Sequence, residues 1–394
     1  MESRKEKVSQ KTKVKVCHLS SLHKQLDSRI FYRECISLAK AGYQVCLICP
    51  CGKNSIVEKV KIVDCPRWNN RFLRMIFSPL IVFSALKLNA KIYHFHAIEL
   101  IPIGLILKLL FRKKVIYDIH EDFPSMMLHK LYIPKILRTV VSKAIYWIEQ
   151  MSTRLFDGIV TADPFVLNAF PHVPSNRKMV FYNLPSLEIF KELPSNSLEK
   201  SYDIVYLGGM SERAGTFILI DAIQHLVLSG LKPRILLIGY FDNDKSEEEI
   251  MKEVIKRQLE EYFDIRGCVP HQEVPKLLSK AKIGVVSLQP EPKFLKNIPS
   301  KLFEYLACGL PVVVSDLPPI RLFFKNKEYG FLVDPKSPKA FAEAFYWLMT
   351  NPEQAEVMGR KAQIAILEKL NCKAEGEKLA HFYEHILSNG TKHV

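Results

Sequence analysis

Ile298-Pro299-Ser300-Lys301-Leu302-Phe303-Glu304-Tyr305-Leu306-Ala307-Cys308-Gly309-Leu310-Pro311-Val312-Val313-Val314-Ser315-Asp316 decides how the rest of the chain is read. Pro299 and Ser300 open a short helix, since serine is a good N-cap and proline is tolerated only at a helix start. Gly309 and Pro311 close it, and residues 312–314 read as a buried parallel strand. The helix carries one base at its start, Lys301, and one acid a turn later, Glu304. A helix N-terminus offers unpaired N–H groups and partial positive charge, which suits a diphosphate. A carboxylate one turn on can accept hydrogen bonds from a vicinal diol such as ribose. A capped surface helix with a solvated glutamate explains this stretch alone equally well, so the surrounding sequence has to decide.

The chain has 394 residues, 48% hydrophobic and 25% charged. That is enough for two domains with their own cores and leaves little room for disorder. The net charge of +15 is unevenly spread: residues 1–185 hold 29 Lys and Arg against 13 Asp and Glu (+16), and residues 186–394 hold 27 against 28 (−1). Such asymmetry implies an anionic partner for the first half: nucleic acid, an acidic membrane surface or a phosphorylated substrate. Nine cysteines, an odd number, are scattered through apparent strands and helices, which fits a reducing compartment. Cys46, Cys49, Cys51 and Cys65 lack the paired spacing of a zinc site, so no metal is expected there. The lysine-rich first 15 residues contain no apolar segment and do not read as a signal peptide. Apolar stretches at 75–86 and 100–111, broken by proline or lysine, fall short of the roughly 20 residues a spanning helix needs. The expected location is cytoplasmic, soluble or peripheral on the inner face of a membrane.

Strand and helix alternate twice over, the pattern of parallel α/β sheets. In the first half strands are expected at 14–19, 44–49, 92–95, 115–118, 158–161 and 179–181, with a helix at 27–41. The second half restarts with strands at 203–207, 234–238, 283–288 and 312–314 and helices at 215–228 and 246–262. Three helices follow, near 338–349, 353–367 and 372–387. Residues 183–201, with Pro185, Pro194 and several serines, are the best linker. Ligands of such sheets bind beyond the carboxyl ends of the strands, and two sheets joined by a linker make a cleft.

Several polar residues stand at those strand ends. Leu207 leads into Gly208-Gly209-Met210-Ser211-Glu212-Arg213-Ala214-Gly215, a glycine turn entering a helix, and Gly239 ends the next strand. Glycine lets backbone approach a ligand, and Arg213 suits a phosphate, although many such turns carry glycine for steric reasons alone. The loop has neither Walker nor dinucleotide spacing. Val115-Ile116-Tyr117-Asp118-Ile119-His120-Glu121-Asp122 runs a strand into a polar loop, where His120 is either a proton donor near neutrality or a turn cap. His96 stands outward of another strand. In the first loop, Asp27 reads as the N-cap of the following helix, and Arg29 as a residue reaching an acceptor.

These motifs, in this order, resemble GT-B glycosyltransferases of retaining family 4, of a bacterial polysaccharide-synthesis type. The resemblance covers 27–42, 94–124, 208–215 and 300–335, and 300–311 is its most specific part. It implies two Rossmann-like parallel α/β domains facing a cleft: 1–185 for the acceptor, 186–371 for a nucleotide sugar. A C-terminal helix, 372–394, is implied to cross back to the first domain. It further implies donor contacts from Gly208, Gly209, Arg213, Gly239, Ser300, Lys301, Leu302 and Glu304. His120 and Glu304 are the implied catalytic residues, and Arg29, His96 and Glu121 the acceptor contacts. Family members usually carry Arg directly after the first loop glycine and Lys before the last. Here Gly209 and Ala214 occupy those places, so Arg213 is taken as the phosphate cation with Lys301 behind it. Of the family's paired glutamates Glu304 matches the second, while Lys296 stands near the place of the first.

Residues 135–149 form a basic amphipathic helix at about 100° per residue. Lys135, Arg138, Lys143 and Tyr146 fall on one side, and Ile136, Val140, Trp147 and Ile148 on the other. The commoner reading buries the apolar side in the core. The other lays it on anionic lipid, together with residues 67–91, which include Trp68, Arg71, Phe72, Arg74 and Phe77. The function expected is transfer of a sugar from a nucleotide sugar to a glycan or lipid-linked acceptor, with retention. No metal cofactor is expected, and a UDP-sugar is favoured slightly over a GDP-sugar. Two readings share the fold: a nucleotide-sugar epimerase and a silent partner subunit. Nucleic acid is not expected as a partner, because no recognisable binding motif interleaves aromatics with the basic residues.

Overall fold

The computed structural model describes residues 14–388 except 24, 68–69, 78–79, 129, 131, 191–199 and 325–327. Runs of valine and isoleucine without polar alternation need cover on both faces, and a parallel sheet supplies it. In the first half they form β1 (Lys15–Leu19), β2 (Gln44–Cys49), β3 (Ser55–Val57), β4 (Val60–Asp64), β5 (Ile92–Phe95), β6 (Lys114–Ile119), β7 (Gly158–Thr161) and β8 (Lys178–Val180). These make one sheet in the order β3-β4-β2-β1-β5-β6-β7-β8, parallel except for the β3–β4 hairpin. The hairpin was not foreseen, because its turn is Glu58-Lys59 at φ 47° and 64°. Those are left-handed positions where asparagine and glycine are the usual signal.

The second half builds β9 (Tyr202–Leu207), β10 (Ile235–Ile238), β11 (Phe263–Arg266), β12 (Ala281–Val286), β13 (Val312–Ser315) and β14 (Gly330–Val333). Their order is β11-β10-β9-β12-β13-β14, with parallel pairing throughout. The two edge strands were missed: β11 alternates Phe-Asp-Ile-Arg on a half-exposed edge, and β14 opens on glycine. The helix expected at 246–262 stops at Lys256, because Gln258 turns left-handed at φ 57°. The one at 27–41 is capped by Asp27, which accepts from Arg29 N and Ile30 N, and its first turns, Ser28–Cys35, are wound as π-helix.

The chain divides into two compact units, Met1–Ala162 with Phe170–Phe181 and Gly376–Val394, and Asp163–Ala169 with Tyr182–Glu375. The C-terminal helix, Cys372–Ser388, therefore lends most of its length to the first unit. Leu379, Phe382, Tyr383 and Ile386 enter the core beside Val160 and Phe181. Gly376 has to be small there, because a Cβ would stand 2.3 Å from Ser37 Cβ. Residues 191–199 of the expected linker lie outside the described residues.

Candidate active site

In the second unit a cavity of about 510 Å³ opens beside the ends of β9 and β12. Six of the residues singled out from sequence line it: Gly208, Gly209, Arg213, Ser300, Lys301 and Glu304. Glycine is needed at the turns behind it. A Cβ on Gly239, at φ 146°, would lie 2.0 Å from Gly208 O, and one on Gly215, at φ 76°, 1.7 Å from Ser287 O. Gly239 is thus support for the Gly208 loop and does not line the cavity. The Leu302 side chain is fully buried in the core, which leaves only its backbone at the helix start to face the cavity side.

The helix Ser300–Ala307 is seated by Tyr305, whose hydroxyl accepts from Leu207 N at 2.7 Å. Its ring fills the space over Gly284, where a Cβ would come within 2.5 Å of it. Ser300 is the first helical residue and not the cap; Pro299 holds the cap position, and no side chain caps this end. The helix start is thereby left to the cavity. Lys301 Nζ stands 4.0 Å from the centroid of the Tyr206 ring. Burial lowers its pKa to about 7, against a smaller opposing pull from Glu304. Glu304 is 3.5 Å from His271 Nε2, a lining residue the sequence gave no reason to choose. Arg213 donates from Nε and Nη2 to Asp242 Oδ2 at 3.0 and 2.8 Å and is thereby paired across the cavity mouth.

In the first unit the strand ends hold a buried polar cluster. His120 Nε2 is 2.8 Å from Asp118 Oδ2, and its side chain keeps 19% exposure. Glu121 follows it, half-buried on the same loop. Arg29 and His96 are in the interior, 4% and 2% exposed, and are corrected as acceptor contacts. Arg29 binds both Asp118 oxygens, at 2.8 and 3.0 Å, and donates to Phe181 O. His96 bridges Asp118 Oδ2 and His18 Nδ1 at 3.0 and 2.9 Å. Burial opposes charge on Asp118, but Arg29 and the hydrogen bonds from His120 and His96 outweigh it and hold the carboxyl well below its usual range. Burial and the neighbouring Asp118 push the Glu34 carboxyl well above its usual range, against the pull of Arg29. Sequence reasoning missed His18, Glu34 and His94. The signal lay in the register: His18 pairs with His94 on β5, and His96 follows the strand end two residues on.

The basic helix, Lys135–Leu155, overturns the commoner reading of its apolar side. Ile136 is 85% exposed and Trp147 60%, with Leu137, Val140 and Ile148 also in the open. What it buries is Glu149, Gln150, Ser152 and Thr153. Trp68 lies outside the described residues, while Ile76, Phe77, Leu80 and Phe83 are exposed. Among the described residues no helix is long and apolar enough to cross a membrane.

Two parallel α/β units, the second with a glycine-turn cavity against a helix start, define the GT-B architecture. Residues 28–184 match the family described as Glycosyltransferase Family 4, and residues 188–364 that described as Glycosyl transferases group 1. With both halves matched in order, the chain belongs to the GT-B glycosyltransferases. Alpha-D-kanosaminyltransferase of Streptomyces kanamyceticus is 22% identical over 183 residues, 46% of this chain and 45% of that protein. The amylovoran biosynthesis glycosyltransferase AmsK of Erwinia amylovora is 26% identical over 162 residues, 41% of this chain and 38% of its own. The chain thus spans under half the length of these curated relatives. Sucrose-phosphate synthase from Thermosynechococcus elongatus superposes with a TM-score of 0.72 at 17% identity, over 96% of this chain and 100% of that one. HepE from Anabaena in complex with UDP does so with a TM-score of 0.70 at 14% identity, over 94% and 99%. At such identities the likeness is one of fold.

Proposed function

We propose that this protein transfers a sugar from a nucleotide-sugar donor to a glycan or lipid-linked acceptor in polysaccharide synthesis, with retention of anomeric configuration. The observation that carries the reading is the cavity at the uncapped start of the Ser300–Ala307 helix, with Lys301 and Glu304 on its wall. The donor diphosphate lies against the helix N-terminus, where free N–H groups and the helix dipole meet its charge. Lys301 adds a cation, and Arg213 a second one once released from Asp242. Glu304 accepts from the ribose hydroxyls. As the glycosidic bond breaks, its electron pair leaves with the nucleotide, and these groups stabilise the growing charge without need of a metal. The acceptor hydroxyl gives its proton to the departing diphosphate oxygen as the new bond forms. His120 is assigned to hydrogen bonding with the donor phosphate or a sugar hydroxyl. Glu121 is kept as the acceptor contact. The UDP complex of the HepE neighbour supports a uridine donor.

The exposed apolar side of Lys135–Leu155, with Lys135, Arg138 and Lys143 on the same helix, supports docking on anionic lipid. A lipid-linked acceptor would be met there.

Calorimetry and thermal shift with UDP, GDP, ADP and their sugars test the donor site, on the wild type and Glu304→Ala. Saturable binding of one nucleotide, weakened at least about tenfold (roughly 1.4 kcal/mol) by the substitution, is the expected outcome. Binding of none of them would sink the donor-site reading.

A further inference from the structure

The interior of the first unit holds more polar atoms than its hydrogen bonds account for. His18, Glu34 and His94 are fully buried and His96 is 2% exposed. One donor atom from each lies within 4.8 Å of all the others. Glu34 Oε2 is 3.7 Å from His18 Nδ1, 3.9 Å from His94 Nδ1 and 3.7 Å from His96 Nε2, and His18 Nδ1 is 2.9 Å from His96 Nε2. Ligands held at about 2.0–2.1 Å around a tetrahedral zinc ion stand roughly 3.3 Å apart. The separations of Glu34 from the three imidazoles and of His18 from His96 bracket that value and no pair exceeds 4.8 Å, so side-chain shifts of under about an ångström would close the set.

Both Glu34 oxygens and His94 Nε2 are buried without a hydrogen-bond partner. Arg29 Nε stands 3.1 Å from Glu34 Oε1 as an ion pair, which leaves Oε2 facing the three imidazoles. A buried carboxyl so placed is costly unless something binds it. The surroundings suit ligation. Asp118 Oδ2 takes the second nitrogen of His96 at 3.0 Å, the carboxylate–histidine arrangement that orients metal-bound imidazoles. Tyr383 OH lies 3.3 Å from His18 Nε2, the nitrogen turned away from the set, and its 2.8 Å contact with His94 Nδ1 gives way when that nitrogen takes the metal. A neighbouring group, His96, Asp118 and His120, shares His96 with this one. Its carboxylate is already held by Arg29, His96 and His120, so it serves as the outer layer.

We propose that His18, Glu34, His94 and His96 form a closed structural site for a divalent transition-metal ion, of which zinc fits the ligand set best. Three nitrogens and one carboxylate oxygen complete a tetrahedron and leave no position for water or substrate, so the ion is structural. It ties β1, β5 and the Ser28–Cys35 turns to the C-terminal helix through Tyr383. Being enclosed, it is loaded on folding and released on unfolding. It is separate from the sugar-transfer chemistry.

The test is elemental analysis of the full chain, purified without chelator from zinc-containing medium. About one zinc per chain is expected, held through EDTA dialysis of the native protein and released by denaturant. Refolding with EDTA should lower Tm, and refolding with Co(II) should give the visible bands of a tetrahedral site. His94→Gln should lose the metal, whereas His381→Ala, at a side chain 83% exposed, should keep it. If His94→Gln does not fold, the wild-type stoichiometry and the cobalt spectrum decide. Less than about a tenth of a metal per folded chain, with the same Tm after refolding in EDTA, would overturn the site. So would metal that follows His381.

Discussion

Lys301, proposed above to meet the donor diphosphate, sits in an environment that resists its charge. Burial lowers its pKa to about 7, so the ammonium is present below that pH and fades above it. A donor diphosphate restores the charge on binding and must draw a proton to do so. Affinity for a nucleotide sugar should therefore fall as pH rises through about 7, approaching tenfold per unit above it. A nucleotide sugar is the right probe, because its diphosphate is a diester with no ionisation near neutrality. Lys301→Met should bind more weakly at low pH and show no such slope in calorimetry from about pH 6 to 9. A flat wild-type profile would remove Lys301 from the phosphate site. At this scale the sequence was informative where the signal is local. A glycine turn and a helix start name Gly208, Gly209, Ser300, Lys301 and Glu304 directly. It set Arg29 and His96 nearer the surface than they are, because neither a helix start nor a strand end tells how deep a side chain lies. His18, Glu34 and His94 come together only through the parallel register, which no single stretch contains.

Among the elements, Lys135–Leu155 departs furthest from its periodicity. A helix with an apolar side normally buries it, yet here Glu149 is 2% exposed and Trp147 60%. Burial raises the Glu149 pKa to about 8, against the hydrogen bond it accepts from Tyr117 OH at 2.9 Å. The folded state thus holds the proton more tightly than the unfolded chain, whose carboxyl titrates near 4.5. Its contribution to stability is complete below that value and is lost as pH rises through about 8. Glu149→Gln keeps the neutral shape and should escape this loss. Its unfolding free energy should gain on the wild type between about pH 5 and 8, by an amount on the order of a few kcal/mol, and its Tm should rise with it. Parallel Tm profiles would show that Glu149 ionises freely in the fold. The buried parallel strands were legible because uninterrupted valine and isoleucine have few other uses. The β3–β4 hairpin was not, since Glu58 and Lys59 take left-handed conformations that their side chains do not announce.

Over the whole molecule, charge and exposed apolar surface fall in the same half of the chain. Residues 1–185 carry a net +16, and the open side of Lys135–Leu155 presents Ile136, Val140, Trp147 and Ile148. Either property alone is ordinary, since basic proteins are common and single apolar residues often face water. Together they act on one surface in different ways. On the proposed docking, the charge would gather the protein at an anionic bilayer from within a Debye length, about 10 Å at 0.1 M salt and 3 Å at 1 M. The apolar side chains would then hold it by area, which salt does not screen. Sedimentation with vesicles should accordingly show binding to phosphatidylserine-containing bilayers that weakens with salt, and little binding to neutral ones. Trp147→Glu with Ile148→Glu removes the apolar hold without touching a cation, and should release the protein even at low salt. Nucleotide affinity of the double variant, read alongside, separates a lost membrane contact from a lost fold. If it still binds nucleotide but wild type and variant sediment alike, the apolar side is not a lipid surface. A wild type that self-associates through this face in ultracentrifugation would identify it as a contact between copies of the chain.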